Sequence, residues 1–444
     1  MDELLAARLQ MAFSLGWHIV FACIGMAMPF FMAFAEWKWL KTKEEIYLDL
    51  AKSWAKGVAI FFAVGAVSGT LLSFELGLLW PEFMKHAGPI FGMPFSMEGT
   101  AFFIEAIALG VFLYGWNRIS PTAHWISGLV VGISGVMSGI FVVAANGWMN
   151  SPSGFDFVNG EYTNIDPIAA LFNDAWFTQA LHMTFAAFAS TGFAVAGVHA
   201  LMLLRGHKIR FHQEALKIAL VFGAVAAFAM PITGDLAAKD VAKRQPAKLA
   251  AMEAHYHTEK SASLIIGGIP DDERQEVDYA IKIPGALSFL AHGDFESEVI
   301  GLDQIPKDEQ PPVIVTHFAF QIMVGLGSLM MLIGIIYFFL AWKKKNYLNL
   351  KWWLWTLTVA SPIGFIALEA GWTVTEVGRQ PWIIYGVMRT SDALTAMPGI
   401  QYSFYLIVAI YALLTLAVIW LMFRQVKAIH QKYEGKGNDD LVIR

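Results

Sequence analysis

Nine long apolar stretches dominate this sequence of 444 residues. A helix needs roughly 20 mostly apolar residues to cross the hydrocarbon core of a bilayer, and each stretch is long enough. The sequence therefore predicts an all-α fold, a polytopic bundle of about nine transmembrane helices. The predicted spans are about 10–36, 54–80, 95–117, 123–149, 175–204, 214–236, 312–341, 351–376 and 399–425.

The composition excludes several other classes of protein. Hydrophobic residues make up 57% of the chain and charged residues only 15%, against roughly 25% charged residues in an average soluble protein. The net charge is −5. A disordered chain, an ordinary soluble domain and a basic nucleic-acid binder are thereby excluded. Cys23 is the only cysteine, so an internal disulfide, a cysteine-ligated zinc site and an iron–sulfur cluster are excluded too.

The loops between the predicted spans alternate in basic charge, and this alternation predicts the topology. Among the short loops on the other side, residues 150–174 contain no lysine or arginine at all, and the rest contain only Lys85, Arg379 and Arg389. The N-terminus is therefore expected outside and the C-terminus in the cytoplasm. The basic set comprises Lys38, Lys41, Lys43 and Lys52, Arg118, Arg205, Lys208 and Arg210, Lys343 to Lys345, and Arg424, Lys427, Lys432 and Lys436.

One connection is much longer than the others. Residues 237–311 form a hydrophilic segment on the predicted outer side, and connections of this length are usually functional or disordered. The chain is accordingly divided into spans 1–6 (residues 1–236), this loop, and spans 7–9 with a cytoplasmic tail (residues 312–444). Pro246 is expected in the first turn of a helix near the start of the loop.

Four histidines lie at least five residues inside a predicted span: His18, His182, His199 and His317. Ionisable groups inside a membrane are costly and usually functional, although each ring is also explained by a hydrogen bond to a neighbouring carbonyl. That simpler explanation is favoured for His199 and His317, which lie near the ends of their spans. Met323 lies at a depth similar to that of His182, and a His/Met pair is a known axial ligand set for a low-spin haem.

Span 3 carries two glutamates, Glu98 and Glu105. Seven residues correspond to about 700° of helix rotation and about 10 Å of rise, so both side chains face one way. They are interpreted as a proton relay or as two unrelated groups beside a water-filled gap. Glu369 and Glu376 repeat this spacing in span 8. Arg379 follows, and it is expected either to anchor the span at the interface or to hold a cofactor's carboxylates.

Motifs along nearly the whole chain resemble subunit I of the cytochrome bd quinol oxidases. The family's haem-bearing first span, its glutamate-bearing third span and the end of its fourth span are each recognisable, as are the start of its quinol loop and the motifs of its seventh and eighth spans. The segments that carry this resemblance are RLQMAFSLGWHIVF, PFSMEGTAFFIE, ANGWMNSP, QPAKLAAMEAHYHTE, FQIMVGLG and EAGWTVTEVGRQPW.

The resemblance implies a set of haem ligands. His182 and Met323 would ligate low-spin haem b558. His18 and Glu376 would each serve one of two high-spin haems, b595 and d, or a b-type haem in place of d, and which haem each residue holds is left open. Trp372 and Arg379 would lie beside these haems.

The resemblance also implies proton and quinol sites. Glu98 and Glu105 match the family's proton route, and Lys248 and Glu253 match its quinol-contacting pair. Without the resemblance, the latter two would be explained as a solvated charged face. Gln321 departs from the family, where an arginine is expected, and the connection before span 7 matches the form with a short quinol loop.

The implied function is that of a terminal oxidase subunit in a respiratory chain. Quinol, either ubiquinol or menaquinol, would be oxidised at the outer face, and O2 would be reduced to water with protons from the cytoplasm. This generates a proton-motive force without pumping. The expected location is a bacterial inner (plasma) membrane, with membrane lipid around the chain. Subunit II and a small single-span subunit are the expected partners. A multispan transporter and a haem-containing electron carrier are the alternatives.

Overall fold

The structure, a computed structural model, describes residues 2–158, 161–207, 209–394 and 398–434. Lys208 and Lys436, which contributed to the predicted topology, lie outside the described residues, as does the end of the tail. The helices are α1 (Glu3–Thr42), α2 (Glu45–Leu79), α3 (Pro81–Tyr114), α4 (Pro121–Asn150), α5 (Pro167–Leu171), α6 (Trp176–Leu204), α7 (Arg210–Arg244), α8 (Pro246–Met252), α9 (Ala286–His292), α10 (Val313–Trp342), α11 (Lys351–Ala360), α12 (Ile363–Val377) and α13 (Ile400–Glu434).

Nine helical segments among the described residues are long and apolar enough to cross a membrane, which confirms the predicted helical bundle. They are α1 to α4, α6, α7, α10, the α11–α12 pair and α13. Several extend beyond the predicted spans. Helix α7, for example, continues to Arg244, eight residues past the predicted end at 236. Hydropathy detects only the part of a helix suited to hydrocarbon, whereas backbone hydrogen bonding continues into the polar interface.

The eighth span is not the continuous helix that its hydropathy predicts. Helix α11 ends at Ala360 and α12 begins at Ile363. Pro362 lies between them, and a proline inside a helix removes one hydrogen bond and clashes with the preceding turn. The interruption is packed against α6, where the Ser361 hydroxyl donates a hydrogen bond to the Ala194 carbonyl.

Helices α6 and α7 pack with their backbones in contact. A Cβ atom on Gly192 would lie 2.5 Å from the Cα of Gly223, so each helix needs a glycine at this crossing. Small residues allow such close approach between membrane helices. This crossing brings the second half of α7 alongside the first half of α6.

The loop between α7 and α10 is built from short antiparallel strand pairs and two short helices. Helix α8 begins at Pro246, as predicted, and six of its seven residues are buried.

The paired strands of the described chain, within this loop and outside it, are β1 (Asp156–Val158) with β2 (Glu161–Thr163), β3 (Glu259–Lys260) with β8 (Glu298–Val299), β4 (Leu264–Ile266) with β7 (Ile281–Ile283), β5 (Ile269–Asp271) with β6 (Glu276–Asp278), and β9 (Trp382–Ile384) with β10 (Met388–Arg389).

Candidate functional site

A hydroxyl group and a glycine on α2 hold the ring of His18, which lies on α1. The Ser68 hydroxyl is 2.8 Å from His18 Nδ1 and donates its own hydrogen to the carbonyl of Val64 or Gly65. It must therefore accept from Nδ1–H, which leaves the lone pair on Nε2. A Cβ atom on Gly69 would lie only 3.1 Å from Cε1 of the ring, so the ring packs directly against the α2 backbone.

The same arrangement recurs around His182 on α6. Its Nδ1 is 3.0 Å from the Thr233 hydroxyl of α7, and that hydroxyl donates to the Met230 carbonyl. The next residue, Gly234, packs on the ring, where a Cβ atom would be 3.4 Å from Cε1. His182 thus also presents the lone pair of Nε2, and a metal-ligating histidine typically has its other ring nitrogen fixed in this way.

His182 and Met323 line one cleft, which encloses about 1300 Å³ of empty space, part of it open to solvent. The sulfur of Met323 lies 2.9 Å from the position that a Cβ atom would take on Gly371, so a side chain at 371 would displace the thioether from this position. Trp372 and Lys248 also line the cleft. An imidazole and a thioether in one cleft are the donor set of a low-spin haem.

Glu376, near the end of α12, is held by two donors. The Asn146 amide donates to Oε1 and the Arg379 guanidinium to Oε2, both at 2.5 Å. A carboxylate has about four lone pairs, so each oxygen retains one for a further interaction. The side chain is 31% exposed, which leaves it accessible from the space outside the packed helices.

Arg379 is buried with most of its hydrogen-bonding capacity unused. It is 2% exposed, yet its Nε and Nη1 have no partner among the described residues. The indole N–H of Trp372 is also buried and unpartnered. Buried donors that lack acceptors are costly, and a guanidinium pairs best with carboxylates. These atoms therefore fit a bound group that carries carboxylates.

Glu98 and Glu105 both face α4, as their spacing predicts. The Ser138 hydroxyl donates to Glu98 at 3.1 Å. Glu105 is 6% exposed, and its Oε2 lies 3.4 Å from where a Cβ atom would sit on Gly135. The two carboxyls thus line one interface, between α3 and α4.

Lys248 and Glu253 do not form a solvated face, because both are buried, at 3% and 4% exposure. Lys248 donates to Asn150 Oδ1 at 2.6 Å, and burial together with the nearby Arg379 lowers its pKa to about 7, against the opposing effect of Glu376. Burial raises the pKa of Glu253 to about 8. Its Oε2 has no hydrogen-bond partner in the described chain. Such perturbed groups are typical of functional sites.

The other two histidines in spans are explained by local contacts. The ring nitrogens of His317 lie 2.9 and 3.2 Å from the carbonyl oxygens of Met252 and Gly267, and the nitrogen that carries the hydrogen donates to its carbonyl, as expected. His199 lies 2.9 Å from His212 rather than beside a carbonyl. Within the described ranges, no group of three or more His, Cys, Asp or Glu side chains is arranged to hold a metal ion. Haem iron needs only one or two axial ligands from the protein.

Gln321 binds the loop. Its amide donates to the Ile265 carbonyl at 3.0 Å and its oxygen accepts from the Gly267 amide at 3.0 Å. An arginine has no acceptor and makes only the first type of contact. The residue that departs from the family pattern therefore anchors the long loop on α10.

The family model for cytochrome bd terminal oxidase subunit I matches residues 6–430. The chain belongs to this family. It is therefore a subunit of a cytochrome bd-type oxidoreductase, a multi-pass membrane protein of a family that binds haem.

Individual relatives agree over nearly the full length. A putative cytochrome bd menaquinol oxidase subunit I of Bacillus subtilis is 36% identical and covers 95% of this chain and 96% of its own. Subunit 1 of the Escherichia coli cytochrome bd-II ubiquinol oxidase is 28% identical, with 95% and 96% covered. The solved bd oxidase of Geobacillus thermodenitrificans matches with a TM-score of 0.91 and 36% identity, over 96% of this chain and 99% of that one.

Four residues to which the sequence alone assigns no role support predicted site residues: Ser68, Thr233 and Asn146 bond the predicted haem ligands, and Ser138 bonds Glu98 of the predicted proton route. They lie on other helices, 40 to 230 positions away in the chain from the groups that they bond. A signal was nevertheless present, because Ser68-Gly69 and Thr233-Gly234 are hydroxyl–glycine pairs inside apolar spans.

At His18 and His182, the predicted haem ligands, Ser68→Ala and Thr233→Val should weaken haem binding by about 10- to 100-fold, because loss of such a support typically costs this much metal affinity. The haem content of the purified protein and its rate of haem loss measure the effect. Ser73→Ala and Thr70→Val alter exposed hydroxyls on α2 and serve as controls. Unchanged haem retention in both test variants would show that the hydroxyls do not support ligands.

Proposed function

We propose that this chain is the haem-bearing subunit of a quinol oxidase that transfers electrons from quinol to O2. One observation carries the proposal: the cleft that contains His182 and Met323 is also lined by Lys248 of the long loop. A haem-ligating pair and a buried loop cation thus share one space. Haems bound here supply the redox chemistry, while the protein supplies ligands, burial and access for protons.

The residues fit three haem sites. His182 and Met323 would ligate low-spin haem b558. His18 and Glu376 would each ligate one of the high-spin haems b595 and d, or a b-type haem in place of d, and either assignment suits these donors. The unpartnered nitrogens of Arg379 would bind haem carboxylates, and the unpartnered N–H of Trp372 would lie beside them.

Lys248 and Glu253 would act at quinol. Oxidation of a quinol releases two protons, and a group that accepts one needs a pKa near the working pH. With its pKa raised to about 8, the Glu253 carboxyl is suited to receive a proton and release it to the outer solution. Lys248, with its pKa lowered to about 7, would donate a hydrogen bond to a quinol oxygen.

Protons for oxygen reduction would enter through α3 and α4. Glu105 is the more deeply placed carboxyl, and Glu98 with its Ser138 partner lies about 10 Å further along the helix. Glu105 would take a proton from the cytoplasmic side, and Glu98 would pass it on. Release on one side and uptake on the other would generate a proton-motive force without pumping.

This arrangement corresponds to a topology with the N-terminus outside, residues 237–311 on the outer side, and the C-terminus in the cytoplasm of a bacterial cell. The long apolar helices α3 and α13 expose large hydrophobic side chains such as Phe103, Ile107, Leu413 and Phe423. These faces would contact subunit II, a small single-span subunit and lipid. Relatives named for menaquinol and for ubiquinol leave the quinone open.

A purified oxidase should show low-spin haem bands and consume oxygen when quinol is added. His182→Ala and Met323→Leu should each abolish the low-spin signal and the oxygen consumption, because each removes one of the two side chains that would hold this haem. Met331→Leu, which changes a methionine on the same helix outside the cleft, should leave both intact. A colourless protein would indicate a transporter. A haem protein inactive with quinol and O2 would indicate an electron carrier.

Glu253→Gln should lower quinol oxidation strongly, by 10²-fold or more on the scale of general base catalysis, about 10²–10⁴-fold, while all haem bands persist. The carboxyl must be ionised to accept a proton, so its contribution to the native rate should increase as pH rises towards about 8. The variant should lack this increase. Glu259→Gln, at an exposed position, is the control. Equal rates and pH profiles in native and variant protein would refute the role.

Glu105→Gln preserves shape and removes titration, so it should slow oxygen reduction far more than it slows haem reduction by quinol. Glu105→Asp should be milder if water bridges the missing methylene. Stopped-flow spectroscopy separates the two steps, and Glu82→Gln tests an exposed glutamate on the same helix. Native oxygen reduction in Glu105→Gln with all haems bound would exclude this route.

A further inference from the structure

Three hydrogen bonds join the loop cation to the carboxylate of α12. Lys248 Nζ donates to Asn150 Oδ1 at 2.6 Å, and Asn150 Nδ2 donates to Asn146 Oδ1 at 3.0 Å. Asn146 Nδ2 then donates to Glu376 Oε1 at 2.5 Å. Both asparagines belong to the ANGWMNSP segment that ends α4, to which the proposed function gives no role.

All three hydrogen bonds run in the same donor-to-acceptor direction, from Lys248 to Glu376. Each amide accepts at its oxygen from the side of Lys248 and donates from its nitrogen towards Glu376. This series of hydrogen bonds therefore begins at a cation and ends at an anion, so its first and last bonds are charge-assisted. Aligned hydrogen bonds polarise one another in a low-dielectric environment. A positive charge on Lys248 thus strengthens the hydrogen bond that Glu376 accepts.

Further hydrogen bonds to Asn150 fix the geometry of this hydrogen-bond series. Asn150 is 2% exposed, and its Nδ2 also donates to the Asn146 backbone carbonyl one helical turn earlier, at 2.9 Å. Its own carbonyl accepts from Gln245 Nε2 at 2.9 Å. Helix α8 is thereby attached to the end of α4 at two points, through Gln245 and through Lys248.

We propose that Asn146 and Asn150 are positioning residues that transmit the charge state of the quinol site, at Lys248, to the haem ligand Glu376. The inference rests on the proposed function, in which Lys248 contacts quinol and Glu376 ligates iron. A carboxylate that accepts a stronger hydrogen bond donates less negative charge to a metal. The charge on Lys248 therefore raises the reduction potential at the Glu376 site, and a change at the quinol site alters that potential.

A double-mutant cycle separates the effect that passes through these hydrogen bonds from the direct Coulomb effect of a nearby lysine. The midpoint potential of the high-spin haem at Glu376 is measured by spectroelectrochemistry in the complete oxidase. The proteins are the native enzyme, Lys248→Met, Asn150→Leu and the double variant. The low-spin haem of each sample is the internal reference, and Lys239→Met, a partly exposed lysine on α7 paired with Asp235, is the control.

Lys248→Met should lower the high-spin potential, and the same substitution in the Asn150→Leu background should cause less than half that shift. Lys239→Met should cause none. Equal shifts in both backgrounds, or no shift with Lys248→Met, would overturn the inference. If Asn150→Leu does not assemble, Asn150→Ala replaces it. A native enzyme without a haem at Glu376 would refute the proposed function instead.

Discussion

Burying a polar side chain in a membrane protein requires a partner for it, because an unpaired polar group in hydrocarbon costs several kcal/mol. The partners found here determine what each group is able to do. Ser68 and Thr233 each fix Nδ1 of a histidine and leave the lone pair of Nε2 available. Backbone carbonyl oxygens lie against both ring nitrogens of His317, so neither nitrogen faces open space where a ligand could bind. Identical side chains thus acquire different chemistry from their neighbours.

In the long loop, too, burial determines what the polar groups are able to do. Helix α8 packs against α10 and is bonded to the end of α4 through Lys248, and both Lys248 and Glu253 are buried. Their pKa values then move in opposite directions, down for the lysine and up for the carboxyl, because burial disfavours both charged forms. In water at neutral pH, both the lysine and the carboxyl would be charged. Burial thereby makes Lys248 and Glu253 able to exchange protons near neutral pH.

The helical bundle was predictable because hydropathy is a local property, and nine apolar stretches admit few alternatives. The ends of α7 and the interruption at Pro362 were not predicted, since neither changes the local hydropathy enough. Glu98 and Glu105 were correctly assigned to one face, because helix periodicity suffices for two residues on one helix. The burial of Lys248 and the contact between Asn146 and Glu376 depend on how distant elements pack, and spacing along the chain carries no such information.

Helix α4 connects these separate regions, because its polar residues bond partners on several elements. Ser138 bonds Glu98 of α3, and Asn146 bonds Glu376 just before the end of α12. These two α4 residues are eight positions apart, or about 12 Å along the axis. The proposed proton carboxyls and the proposed haem carboxylate therefore belong to separate hydrogen-bond clusters on one rigid helix. Such separation gives the carboxyl of Glu98 and that of Glu376 their own hydrogen-bond partners on α4, so that neither competes with the other for a donor.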